Sequence, residues 1–146
     1  MMMALLLSYV AVICVGFIHY VMMSRINVVL QRWLPDPDRR LLGLLSVIFV
    51  VHMIQAGVFA VAFVLGQEIG LGGFKPDKPL TFLEIYYFSL VNYTTLGLGD
   101  IYPSEHLRIM AGIEAFIGFL LLSCSASLLF NLVSEKQTRL QSDNRQ

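Results

Sequence analysis

The sequence predicts an all-α membrane protein with three transmembrane helices, a re-entrant half-helix and a glycine-rich loop. Three observations carry this. Residues 3–23, 41–66 and 107–133 are long apolar stretches with few charges, each long enough for one crossing, which takes roughly 20 residues. Residues 81–93 are also apolar and aromatic but too short to span. The chain of 146 residues is 57% hydrophobic and only 14% charged. A soluble domain would be less apolar and more charged, so the apolar excess belongs in a bilayer.

In chain order, residues 3–23 hold no Lys, Arg, Asp or Glu. A cleaved leader would carry positive charge before its apolar run and a small-residue cleavage site after it. Met1-Met2-Met3-Ala4 precedes this run and Ser24-Arg25-Ile26 follows it, so a retained helix is expected. In residues 24–40, Ile26, Val29, Leu30, Trp33 and Leu34 recur at helical spacing opposite Arg25, Gln31 and Arg32. This pattern predicts a separate amphipathic helix in the interface, with Trp33 at headgroup level. Pro35 and Pro37 break it, and Asp36 and Asp38 form a polar turn.

The second apolar stretch has one ionisable residue, His52, read as a neutral imidazole satisfied by protein. Residues 67–80 form a loop. Thr81-Phe82-Leu83-Glu84 reads as a capping box that starts the half-helix. Cys14 and Cys124 both lie in apolar stretches and read as small buried residues rather than a disulfide framework. The last apolar stretch gives way to a polar tail, residues 134–146.

Lys and Arg set the orientation. Arg25, Arg32, Arg39, Arg40, Lys136, Arg139 and Arg145 lie on one side, and Lys75, Lys78 and Arg108 on the other. The richer side is expected in the cytoplasm, with the N-terminus outside and the C-terminus cytoplasmic.

The decisive stretch is Tyr93-Thr94-Thr95-Leu96-Gly97-Leu98-Gly99-Asp100-Ile101-Tyr102-Pro103. Non-helical backbone at membrane depth must be buried in protein or line water. Glycines alternating with larger residues can turn successive carbonyls the same way. Several chains around an axis would then stack rings of oxygens able to replace the water around a cation. The half-helix would aim the negative end of its dipole at the cavity below.

This run resembles the potassium-channel signature, whose commonest form is Thr-Val-Gly-Tyr-Gly-Asp, and the family's carbonyl filter is a standard case of ion selectivity. The resemblance covers the half-helix, the loop and, by arrangement, the two flanking helices. It implies a selectivity filter at Thr95, Leu96, Gly97, Leu98 and Gly99, with potassium at Thr95, Leu96, Gly97 and Leu98. Thr94, Asp100, Tyr87 and Glu114 would support it. Leu96 and Leu98 depart from the usual Val and Tyr, and the second change removes a hydroxyl brace. Tyr87 either donates a phenolic hydrogen bond to Asp100 or packs as an interfacial ring. Glu114 is a carboxylate about two turns into a membrane helix, where acids are costly and functional by default. It either braces the filter from behind or reaches water or Arg108. Gly118 is a candidate gating hinge or a close-packing residue. Phe119, Leu122 and Ala126 are expected at the cavity, and Tyr102 at the outer mouth.

The expected architecture is therefore a homotetramer. Residues 1–40 form an N-terminal transmembrane helix and linker, residues 41–134 the pore domain and residues 135–146 a short cytoplasmic tail. The expected function is passive potassium conduction, with membrane lipids, potassium ions and copies of itself as partners and no cofactor. No Arg series marks a voltage sensor. The alternatives are a non-selective or sodium-conducting channel of the same fold, or a non-conducting scaffold or regulatory subunit. A formal net charge of zero offers no nucleic-acid footprint. His19, His52, His106, Cys14 and Cys124 show no metal spacing, so an enzyme is not expected.

Overall fold

The structure, a computed structural model, describes residues 1–34, 36–76 and 78–143. Among these residues are four helices: α1 (Met2–Trp33), α2 (Pro37–Glu68), α3 (Phe82–Tyr93) and α4 (Leu107–Asp143). A two-residue antiparallel pair, β1 (Phe74–Lys75) with β2 (Tyr102–Pro103), joins the loops on either side of α3. The segments Met2–Ile26, Asp38–Glu68 and Leu107–Ser134 are long and apolar enough to cross a membrane. The all-α plan with three crossings and one short helix is the one the apolar stretches predict.

The first half of α1 presents Ala4, Ser8, Ala11 and Val15, all buried, on one face. Small residues at helical spacing let backbones approach closely in a bilayer. They meet Ala56, Phe59, Ala60 and Phe63 of α2, in a core that also takes Phe88 of α3 and Met110 of α4. Phe63, Phe74 and Phe88 pack edge to face, with centroids 5.0–5.7 Å apart. That geometry favours aromatic pairs beyond simple burial.

One expectation is corrected here. No separate interfacial helix follows the first span, because α1 continues unbroken through Trp33. Ile26 and Leu30 are buried with Met22 against Leu44 and Ile48 of α2, with Leu128, Leu129 and Leu132 of α4 packed beside them. Burial against two helices overrides the pull of an amphipathic face toward the interface. Trp33 stays exposed at the end of the helix, as the amphipathic pattern requires. The expected break at Pro35 lies outside the described residues. Pro37 starts α2 rather than ending a turn, with Asp36 as N-cap accepting from the Asp38 amide at 3.1 Å. Proline suits this first position, because the amide it lacks would have no helical partner.

Cys14 and Cys124 are also corrected. Both are exposed in the single chain, unpaired. A thiol is small and apolar, and its apolar neighbours in sequence do not by themselves demand burial.

Candidate functional site

The site begins at the start of α3. Thr81 caps it: its hydroxyl accepts from the Glu84 amide at 3.3 Å, and Glu84 Oε2 accepts from the Thr81 amide at 2.8 Å. Lys78 Nζ lies 2.8 Å from the other Glu84 oxygen. That ion pair and the two Thr81 bonds hold the Glu84 carboxyl down at a pKa of about 2. Two side chains then tie α3 to carbonyls of α2. Tyr86 donates to Met53 O at 3.0 Å, and Ser89 donates to Ala56 O at 2.7 Å.

The far end of α3 is held more tightly. Glu114 of α4 is fully buried, and its carboxyl touches both the Ser89 hydroxyl and the Asn92 amide, the latter at 2.6 Å. Asn92 also donates to Ala111 O at 2.8 Å. Glu114 thus faces the half-helix. Its zero exposure leaves no route to water, and Arg108 is exposed. Tyr93, the last residue of α3, is 1% exposed. Its hydroxyl donates to Gln55 Oε1 at 2.7 Å and sits 2.9 Å from His52 Nδ1. Behind its carbonyl lies Gly118, where an added Cβ would collide with that oxygen. The close-packing role is therefore the one that contact supports, within a helix α4 that runs continuously past Gly118.

The helix ends in a Schellman arrangement. The Leu96 amide donates to Val91 O at 3.0 Å and the Thr95 amide to Asn92 O at 2.9 Å. The residue between these bonds must be left-handed, a place usually given to glycine. Here it is Thr95, with φ 60°. A side chain in that region costs roughly 1–2 kcal/mol. Gly97 (φ 55°) and Gly99 (φ 78°) follow at alternate positions. Every second residue from Thr95 to Gly99 is thus left-handed, and residues 94–100 are all exposed in the single chain. Tyr87 reaches the end of this strand and donates to Asp100 Oδ2 at 2.9 Å. That bond, with the Asp100 charge behind it, pushes the Tyr87 phenol up. Tyr102 is half exposed beside β1.

Phe119 and Ala126 of α4 are exposed on one face, whereas Leu122 turns partly into the main core. Sequence reasoning missed the polar partners of this site, Ser89, Asn92, Gln55, His19 and Ser125. Their signal was weak: one polar residue per turn on apolar helices. Gln55 lies three residues from His52, close to one helical turn.

A family model described as ion channel matches residues 47–135, well over half of the chain. The chain belongs to this ion channel family. No curated protein and no solved structure matches it. The matched region of this ion channel subunit takes in most of α2, the whole of α3, the glycine-rich strand and the membrane part of α4. With three apolar helices, the protein is a multi-pass membrane protein. Membership of the ion channel family speaks for conduction rather than catalysis.

Proposed function

We propose that this ion channel subunit assembles as a homotetramer and conducts potassium selectively through residues 95–99. The observation that carries the reading is the left-handed alternation at Thr95, Gly97 and Gly99 on a strand with no cover from its own chain. Polar backbone uncovered at membrane depth needs protein or water beside it. A closed ring of copies meets both needs at once, with protein around the strands and an aqueous axis between them. Carbonyls of Thr95, Leu96, Gly97 and Leu98 then stand in for the hydration shell of potassium, and the Thr95 hydroxyl adds the innermost ring. Conduction is passive. The Leu96 and Leu98 side chains point away from the ions. Phe119 and Ala126 face the cavity, and Tyr102 rings the outer mouth, where aromatic faces attract organic cations. The N-terminus lies outside and the arginine-rich α1–α2 turn lies in the cytoplasm.

Leu98 favours one second reading. It carries no hydroxyl to brace the outer filter, which leaves room for a non-selective cation channel. Flux through purified protein in liposomes separates the two. Potassium-driven flux that barium blocks, that is poor in sodium and that Thr95→Ala alters supports the potassium reading. Equal flux of both cations overturns it.

A further inference from the structure

Four side chains in the membrane interior connect α1, the helix outside the matched family region, to the residue before the glycine-rich strand. His19 of α1 is 5% exposed. Its Nδ1 accepts from Gln55 Nε2 at 3.5 Å, and its ring lies 5.8 Å from that of His52. Gln55 Nε2 also donates to Val15 O at 3.1 Å, while Gln55 Oε1 takes the Tyr93 proton. Because that proton is spent on Gln55, His52 Nδ1 must be the donor to Tyr93 O. His52 Nε2 is then the acceptor, and it receives the Ser125 hydroxyl of α4 at 3.0 Å. Each hydrogen bond fixes the next. At one end His19 Nε2 is buried with no partner among the described residues.

This chain has a second self-consistent arrangement. A proton on His19 Nδ1 would meet the Gln55 amide donor head on. Rotating the amide presents Oε1 to His19 and the NH2 group to the Tyr93 hydroxyl. Tyr93 then accepts from Gln55 and donates to His52 Nδ1. His52 carries its proton on Nε2 and donates to Ser125. His52 changes tautomer by exchange, its Nδ1 proton leaving and another arriving at Nε2 past Ser125, so the chain gains one proton in all, on His19. The cost is the Gln55 bond to the Val15 carbonyl, which keeps its helical amide partner, and a shifted hydroxyl on the residue that anchors the strand.

We propose that His19 is a proton-binding site whose occupancy is relayed through Gln55 and His52 to Tyr93, so that acid reduces ion flux. The groups facing His19 fit a proton rather than a metal ion. From α2 they are His52 and Gln55, and behind these stand Tyr93 of α3 and Ser125 of α4. The buried carboxylate Glu114 has its oxygens on Ser89 and Asn92. Among the described residues no Lys or Arg is buried. The proposal rests on the conducting reading for its output, but not for the relay itself.

Two measurements on the full chain in lipid test it. In the first, potassium flux is followed in liposomes with equal pH on both sides, from about pH 8 to about pH 5, the window in which a histidine titrates. Wild type is expected to lose about tenfold or more, whereas His19→Gln, with His19→Asn as the second variant, stays within about twofold. A flat wild-type profile, or the same fall in both variants, overturns the proposal. In the second, nitrogen NMR of histidine-labelled protein follows both rings. His52 is expected to move its proton from Nδ1 to Nε2 as His19 titrates. A His52 that keeps its tautomer while His19 titrates overturns the relay. The NMR experiment needs no current. A chain silent at every pH therefore counts against the conducting reading, and the rings still decide the relay.

Discussion

Tyr93 and Gly99 are six residues apart and live in opposite conditions. Tyr93 is sealed in the core, with its hydroxyl between Gln55 and His52 and its carbonyl against Gly118. The strand from Thr94 to Asp100 is exposed along its whole length, and Tyr87 of α3 reaches it at Asp100. One chain therefore builds the anchor completely and the strand only in part. Rigidity is supplied at the foot, by α2 and α4, while the walls of the strand must come from elsewhere. For a proposed pore this division is useful. Errors of position are removed where the helix ends, and the backbone beyond stays free of side-chain cover on the ion side.

The largest effect should come from the strand. Gly97→Ala or Gly99→Ala leaves open space around the new Cβ but forces a side chain into a left-handed backbone. At roughly 1–2 kcal/mol per copy, repeated in each subunit, potassium flux is expected to fall more than about a hundredfold. Retained flux in either variant would break the contrast. Next comes the anchor. Glu114→Leu takes one partner each from Ser89 and Asn92, which keep their bonds to the Ala56 and Ala111 carbonyls, at about 1 kcal/mol for each bond lost. Thermal unfolding in detergent is expected at a clearly lower temperature, and an unchanged midpoint would show that the brace carries nothing. Gly118→Ala should act in the same direction by overpacking, about 1–3 kcal/mol, because the new Cβ would meet the Tyr93 backbone carbonyl rather than a flexible side chain.

Smaller effects belong to the periphery. Tyr87→Phe removes one bond to Asp100, worth about 1 kcal/mol, and should shorten single-channel open times without altering assembly. Glu84→Ala removes the capping box and its ion pair with Lys78, and is expected to change stability least. The pH dependence of that cap has a definite sign. The Glu84 carboxyl is lowered from 4.5 to about 2, so its contribution is complete above pH 4.5 and is lost as pH falls through about 2. Glu84→Ala should therefore matter less to unfolding near pH 3, inside that window, than to unfolding at neutral pH.

The sequence exposed the fold through length and apolarity, which is why the three spans, the short α3 and its Thr81–Glu84 cap were legible. The glycine alternation located the strand. Glu114 stood out because a carboxylate in a membrane helix needs partners. What stayed hidden was partnership across helices. Ile26 and Leu30 show the same spacing whether they meet lipid headgroups or Leu44 and Ile48, so α1 read as two helices. His19, Gln55 and Ser125 sit on three different helices, and only packing brings them to one place. Thr95 looked like a ligand and gave no hint that it also ends α3 in a left-handed turn.

The central claim is that a strand left open in one chain is closed by three further copies. Mixing wild-type subunits with Gly99→Ala subunits in equal amounts before reconstitution tests it directly. If one altered strand spoils a ring of four, potassium flux falls to about one sixteenth of wild type, the chance that all four positions are wild type. Flux near one half would mean that each chain conducts alone, and would contradict the account.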